Sequence, residues 1–213
     1  MPQKNRVTLS PMDRPIHNET PFGPANAGID PFALFEQWFK TAMETDPNNA
    51  AVMTLATAFN NRPSARMVLM KEHSPDGFVF YTNYESRKGS ELAENPKSAL
   101  VFWWPAQERQ VRIEGHTTRI SAEASDAYFA TRPRDSQLSA WASAQSSEID
   151  EPISLEAAKA KFKDDPIPRP CSWGGLQLVP ERFEFWQGRT SRLHDRIAFI
   201  QKNGQWSPRR LAP

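Results

Sequence analysis

The stretch "AVMTLATAFNNRPSARMVLMKE" (residues 51–72) sets two apolar runs, 51–58 and 64–72, on either side of "FNNRP" (59–63). Both runs read as strands, and the asparagines and proline between them supply turn chemistry. "HSPDG" (73–77) is a second turn of that kind, and "GFVFYTN" (77–83), "SALVFWWP" (98–105) and "RQVRIEGHTTRI" (109–120) are further strand-like runs. Parallel strands need a long crossover, so connections this short favour an antiparallel meander closing into a barrel. No G-x-G-x-x-G or P-loop pattern is present, which removes support for a dinucleotide-binding or Walker-type reading.

Upstream, "DPFALFEQWFKTAMET" (30–45) opens with Asp30 as N-cap and Pro31 at the first helical position. Phe35, Trp38, Phe39 and Ala42 then form an apolar stripe at helical spacing. Downstream, "SAEASDAYFAT" (121–131) starts as a capped helix that Pro133 stops, and a second helix runs from about Pro133 through "DSQLSAWAS" (135–143). Residues 154–163 read as a third, exposed helix. The chain then returns to strands at "SWGGLQLV" (172–179), "RFEFWQG" (182–188) and "SRLHDRIAFI" (191–200). The expected fold is mainly β with peripheral helices (α+β), one domain over 30–213. Residues 1–29, with prolines at 2, 11, 15, 21 and 24, read as a mobile arm.

Across 213 residues, 26 Lys+Arg against 25 Asp+Glu leave a net charge of +1, poor footing for a nucleic-acid binder. No apolar run approaches membrane-spanning length, and the N-terminus lacks the basic-then-apolar layout of a signal peptide. The single cysteine, Cys171 in "IPRPCSW", excludes an internal disulfide and fits a reducing compartment. The expectation is a cytoplasmic protein with no membrane or nucleic-acid partner and no metal site.

Candidate chemistry gathers at three places. In "YTNYESRKGSELAEN" (81–95) a strand leads into a helix whose first turn carries Ser86, Arg87 and Lys88, and a helix N-terminus flanked by two cations suits a dianion. Arg66 and Lys71 bracket "RMVLMK", five residues apart, or roughly 16 Å along a strand. In "YFATRPRDSQ" (128–137), Tyr128 and Arg132 share a helix face and Ser136 falls in the next first turn, a plausible phosphate clamp. Arg132 capping the carbonyls of the first helix is an equal reading. "ERQVRIEG" (108–115) puts Gln110 and Arg112 on one strand face, "QSS" (145–147) offers polar groups after a helix, and Trp186 ends an aromatic strand. In "SRLHDR" (191–196), an extended chain puts Arg192, His194 and Arg196 on one face and Ser191, Leu193 and Asp195 on the other. That row is either a solvated face or a ligand contact.

Taken in order, "RMVLMK", "FYTN", "SRK", "ERQVRIEG", "RPRDSQ", "AWASAQSS", "FEFWQG", "RLHDR" and "RRLAP" resemble the pyridoxamine 5′-phosphate oxidase family from about Asp30 to Pro213. The resemblance implies an FMN-binding split β-barrel and a homodimer, with FMN in clefts between subunits and contacted by both chains. It implies FMN contacts at Arg66, Met67, Val68, Leu69, Met70, Lys71, Tyr81, Thr82, Arg87 and Lys88. Gln110, Gln145, Ser146, Trp186 and Arg196 complete that set. The substrate phosphate would fall to Lys71, Tyr128, Arg132 and Ser136, while Arg192, Leu193 and His194 close over the substrate, Arg192 and His194 as the catalytic pair. The implied reaction oxidises C4′ of pyridoxamine or pyridoxine 5′-phosphate to give pyridoxal 5′-phosphate, with dioxygen as acceptor and hydrogen peroxide released. The family's arm carries an Arg-x-x-Tyr; here "RPIH" (14–17) offers Arg14, with His17 where tyrosine is expected. Two rivals stand beside this: a related flavin oxidase of a non-phosphorylated aromatic acid, of phenazine type, and a non-catalytic split barrel binding flavin or haem.

Overall fold

The hairpin that opens the sheet is built as its sequence suggests. In the computed structural model, which describes Phe22 and residues 30–213, β1 (Val52–Phe59) and β2 (Arg62–Leu69) pair antiparallel from Val52 opposite Leu69 to Phe59 opposite Arg62. Asn60 and Asn61 take φ of 48° and 58° at the turn, the left-handed pair that a two-residue hairpin with the right strand twist requires and asparagine tolerates. After Leu69 the chain changes partner. Met70 N–H donates to Ala51 O at 2.9 Å, but Lys71 N–H donates to Val79 O at 2.8 Å. The run 64–72 is therefore not one straight strand, and the separation of Arg66 from Lys71 does not follow from strand rise.

Seven further strands follow: β3 (Glu72–Ser74), β4 (Gly77–Asn83), β5 (Lys97–Trp104), β6 (Arg109–Arg119), β7 (Trp173–Gln187), β8 (Asp195–Lys202) and β9 (Gln205–Leu211). Every pairing is antiparallel, in the order β2-β1-β5-β6-β7-β4-β3, with β8 pairing β7 and β9. Helix α1 (Pro31–Thr45) precedes the sheet, capped by Asp30, whose carboxylate accepts from Phe32 N–H at 2.9 Å and Ala33 N–H at 3.3 Å. It lays Leu34, Phe35, Trp38 and Ala42 into the main core, where Phe35 meets Phe78 edge-on at 4.9 Å and Trp38 meets Phe185 at 5.3 Å. Helix α2 (Arg87–Glu94) links β4 to β5. Helices α3 (Ala122–Thr131), α4 (Arg134–Ala142) and α5 (Glu156–Phe162) lie between β6 and β7 over a second, smaller core.

Four expectations are corrected. Residues 172–179 and 182–188 form one strand, because the break at Pro180-Glu181 is absorbed as a bulge where Glu114 pairs Arg182 but Gly115 pairs Pro180. A bulge tolerates a proline that a regular ladder would not. The third helix is shorter than 154–163 and not wholly exposed, since Ala158 and Phe162 are buried against α4. "SRLHDR" is not a strand: Thr190–Arg192 is a 3-10 turn in which Ser191 and Arg192 have φ of 56° and 59°, and β8 begins only at Asp195. The alternation that put Arg192, His194 and Arg196 on one face therefore does not exist. Finally, the strands do not run as a meander: β5 returns to pair β1, and β4 pairs β7, because short connections here join strands that are not neighbours in the sheet. Phe22 is buried against Trp38, ring centroids 5.0 Å apart. Arg14 and His17 fall outside the described residues.

Candidate active site

Helix α2 starts on Ser86, whose Oγ accepts the Gly89 N–H and donates to Asn83 O at 2.7 Å. A Cβ on Gly89 would stand 2.1 Å from Tyr84 O, so only glycine lets this first turn sit so close to the end of β4. The close seat brings Lys88 Nζ within 3.1 Å of Thr82 Oγ1 and 3.1 Å of Gln145 Oε1. Burial, then the nearby Arg66, lowers the Lys88 pKa from its ordinary value, with Glu91 opposing. Arg87 turns away, two-thirds exposed, and donates to Glu91 Oε1 at 2.9 Å. The other Glu91 oxygen accepts from Thr57, Ser64 and Arg66 at 2.6, 2.7 and 2.9 Å. Of the expected cationic trio, Arg66 and Arg87 are thus held by Glu91 while Lys88 faces inward.

Lys88 opens on a cavity of about 570 Å³ walled by the β2–β3 junction, β4, the α3–α4 corner and the start of β7. Met67, Val68, Leu69, Lys71, Tyr81, Thr82, Lys88, Tyr128, Arg132, Ser136 and Gln145 all line it, so two of the three expected places are one site. Met70 points into the main core instead, and Ser146 is exposed outside the lining. Tyr81 and Tyr128 stack with centroids 3.7 Å apart and planes within 10°. Burial raises both phenol pKa values, and Glu72, which accepts from the Tyr81 hydroxyl at 3.2 Å, adds to it at Tyr81.

Arg132 caps α3 through its backbone alone, its N–H on Phe129 O at 3.2 Å, and its side chain takes no helix carbonyl. Gln137 Nε2 donates to Phe129 O at 3.0 Å and Ala130 O at 3.3 Å in its place. The Arg132 guanidinium lies over the Trp173 ring, 4.5 Å from its centroid, with Nη1 buried and without a hydrogen-bond partner among the described residues. Burial lowers its pKa and Tyr128 opposes this, but an arginine so far above neutrality keeps its charge. Among the described residues, no carboxylate forms an ion pair with Lys71, Lys88 or Arg132.

The remaining candidates form a second group that does not line this cavity. Gln110 on β6 stands opposite Trp186 on β7 and Trp103 on β5. Trp186 in turn lies 6.0 Å from Trp103 and 4.5 Å from the His194 ring. Arg196 pairs with Trp186 across β7–β8 and is bound by Glu184 Oε1 through Nε (2.9 Å) and Nη2 (2.7 Å), with Ala212 O at 2.8 Å. Glu184 is buried and also takes Arg112 at 2.5 Å. Arg192 and Leu193 are exposed on the adjoining turn. His194 Nδ1 accepts from Arg189 N–H at 3.1 Å; burial, then Arg192, lowers its pKa, with Glu108 opposing.

Residues 39–162 match the family model described as pyridoxamine 5′-phosphate oxidase, and residues 173–213 that of the pyridoxine 5′-phosphate oxidase C-terminal dimerisation region. The chain belongs to the pyridoxamine 5′-phosphate oxidase family. It is 50% identical over 194 residues to a pyridoxine/pyridoxamine 5′-phosphate oxidase of Sphingopyxis alaskensis, covering 89% of this chain and 90% of that one. One from Pseudomonas putida is 51% identical over 196 residues, covering 89% and 91%. Among solved structures, PhzG from Burkholderia lata 383 in complex with tetrahydrophenazine-1-carboxylic acid superposes with a TM-score of 0.84 at 27% identity, over 92% of this chain and 98% of that one. A pyridoxamine 5′-phosphate oxidase-related, FMN binding protein from Nostoc punctiforme gives 0.71 at 20%, over 87% and 100%, and shows the fold alone. The split-barrel fold expected of the family is the fold present.

Against the family resemblance, the cavity adds Asn83, Thr131, Pro133 and Trp173, which sequence reasoning did not single out. Trp173 reaches the site only because β7 pairs with β4, opposite Asn83; no spacing in the sequence signals that. Glu91 and Glu184 were passed over for a different reason. A carboxylate that organises arginines reads, in sequence, like any helix or strand charge.

Proposed function

We propose that the chain is an FMN-dependent oxidase of phosphorylated B6 vitamers. It converts pyridoxamine and pyridoxine 5′-phosphates to pyridoxal 5′-phosphate, with dioxygen as acceptor and hydrogen peroxide released. The observation that carries this reading is the convergence of Lys71, Lys88 and Arg132 on one cavity with no carboxylate partner among the described residues. Lys88 and Arg132 are partly withdrawn from water, and such cations without carboxylate partners favour anionic ligands; charge-assisted contacts to phosphate are the strong ones.

The residues fit the group: a partly desolvated Lys88 beside Thr82 and Gln145 has no ion-pair partner among the described residues, and a flavin phosphate provides one. Bound FMN supplies the two-electron acceptor; orientation and charge are the protein's part. Lys71, Tyr128, Arg132 and Ser136 hold the substrate phosphate. Gln110, Trp186 and Arg196, with Arg192, Leu193 and His194, come to this cavity from a second copy of the chain, a homodimer in keeping with the matched dimerisation region. His194 stays neutral near pH 7, and because its Nδ1 accepts from Arg189, its proton sits on Nε2, available to the substrate. Arg192, always charged, orients and does not transfer protons.

The unit is one domain over 30–213 behind the 1–29 arm. We place it in the cytoplasm on the single cysteine; among the described residues no helix is long and apolar enough to cross a membrane.

The test is the visible spectrum of the purified protein, then peroxide release with pyridoxamine 5′-phosphate and with unphosphorylated pyridoxamine. A flavin spectrum and strong preference for the phosphorylated amine are expected; a colourless protein or equal turnover of both overturns the reading. A second reading, oxidation of a non-phosphorylated aromatic acid, draws on the likeness to PhzG. The same assay with such an acid as substrate separates the two.

A further inference from the structure

Arg132 is charged, half-buried and without a counterion among the described residues, yet its guanidinium is stacked against an aromatic ring. Its neighbour Arg169 shows the ordinary alternative. Arg169 Nε pairs with Asp126 of α3 at 2.6 Å, and its Nη1 donates to Trp173 O at 2.6 Å. Asp126 is therefore spent on Arg169, and what faces Arg132 is the indole of Trp173, 4.5 Å from the guanidinium carbon, with the Phe129 ring at 5.5 Å. A π face attracts a cation without cancelling its charge, as a carboxylate would. It also takes up no N–H of the fork, and the buried Nη1 has no hydrogen-bond partner among the described residues.

The indole is itself fixed. Trp173 is the first residue of β7, with its N–H on Pro170 O at 3.0 Å, its carbonyl on Arg169 and its backbone paired to Asn83. One ring face continues the parallel stack of Tyr81 and Tyr128, with planes within 13° and 8°. Phe129 meets it edge-on at 5.2 Å. Every neighbour holds the ring in its plane.

We propose that Trp173 is a positioning residue for phosphate recognition: its indole is the platform that orients Arg132 and keeps its charge available to the substrate's phosphate dianion. This rests on the reading of Arg132 as part of the substrate clamp. An ion-paired Arg132 would have to exchange a carboxylate for each incoming phosphate, whereas a stacked one meets the phosphate with its hydrogen-bonding edge already free.

The experiment uses the FMN-loaded enzyme and compares Trp173→Phe, Trp173→Leu and Arg132→Ala. KM and kcat are measured with pyridoxamine 5′-phosphate and with pyridoxamine, beside FMN content and thermal melting. A desolvated cation–π contact of indole strength corresponds to roughly a tenfold effect or more. The expected order of KM for the phosphorylated amine is wild type, then Trp173→Phe up a few fold, then Trp173→Leu up about tenfold. In the two Trp173 variants KM for unphosphorylated pyridoxamine rises by less than KM for the phosphorylated amine, so the ratio of the two KM values changes. Equal losses on both amines in Trp173→Leu, or an unchanged KM for the phosphorylated one, overturn the proposal. If Trp173→Leu fails to hold FMN or to melt cooperatively, Trp173→Phe decides, and a wild-type ratio of the two KM values in it is fatal. If Arg132→Ala keeps full selectivity for the phosphorylated amine, the clamp reading itself fails and this inference with it. Loss of selectivity in Arg132→Ala but not in either Trp173 variant leaves the clamp standing and removes Trp173 from it.

Discussion

Glu91 on α2 meets Arg66 on β2 across the mouth of the sheet, Oε2 to Nη2 at 2.9 Å, and the carboxylate is almost wholly out of solvent. Burial opposes its ionisation, but hydrogen bonds from Thr57, Ser64, Arg87 and Arg66 outweigh it and pull the pKa down to about 2. An unfolded glutamate titrates near 4.3, so the folded state holds the charge more tightly. The stabilisation is fully present above that value and drains away as pH falls toward 2. Glu91→Gln should cost about 2 kcal/mol at pH 7 and flatten the stability curve between about pH 5 and 2. Urea unfolding of both proteins at pH 7, 5 and 3 measures it; parallel curves would mean that Glu91 is not the titrating group.

Lys88 and Arg87 are neighbours in sequence with different prospects. Lys88 faces the cavity with no carboxylate partner among the described residues, whereas Arg87 is two-thirds exposed and paired to Glu91. Lys88→Met should weaken FMN binding by roughly ten- to a hundredfold, the weight of one charged contact. Arg87→Ala should have a smaller effect. Fluorescence titration of apoprotein with FMN gives both values, and the reverse ranking would place the phosphate outside the cavity.

Arg192 and Arg196 should separate on mutation. Arg196 shares the buried Glu184 with Arg112, so Arg196→Leu should destabilise the fold by about 1–3 kcal/mol and lower flavin occupancy. Arg192 is exposed at φ 59°, a conformation glycine adopts without strain. Arg192→Gly should hold or slightly raise the melting temperature while kcat/KM falls at least tenfold. Full kcat/KM in that variant would remove Arg192 from the active site.

His194 is pushed below its ordinary pKa by burial, then by Arg192. The unfolded chain therefore takes up this proton first as pH falls, and stability declines below about pH 6.5 until the folded state is protonated as well. Arg192→Ala should move the His194 titration upward. NMR titration of the imidazole in both proteins reads this directly, and a shift downward would exclude Arg192 as a cause.

Much of the site was legible in sequence because its chemistry is local. The N-cap at Ser86 puts Lys88 at a helix start, and Tyr128, Arg132 and Ser136 straddle a corner that Pro133 makes unavoidable. "SRLHDR" was misread because alternation is only meaningful in an extended chain, and nothing in six residues announces two successive left-handed ones. The single strand across Pro180-Glu181 was missed because a bulge is decided by the partner strand.

The sequence alone determined the antiparallel strands and the β1–β2 hairpin, the capped α1, the helix pair broken at Pro133 and the residues carrying charge, since each follows from turn chemistry, periodicity or composition; the strand order, with β5 beside β1 and β4 beside β7, was not the expected meander. Only the tertiary structure decided which charges are free. Arg66, Arg87 and Arg196 are held by Glu91 and Glu184, while Lys71, Lys88 and Arg132 converge on one cavity with no carboxylate partner among the described residues. The physical reason is that a charge's availability depends on what lies within a few ångströms of it. Those neighbours, Glu91 for Arg66 and Trp173 for Arg132, stand 25 and 41 residues away along the chain and meet only when the sheet and helices close.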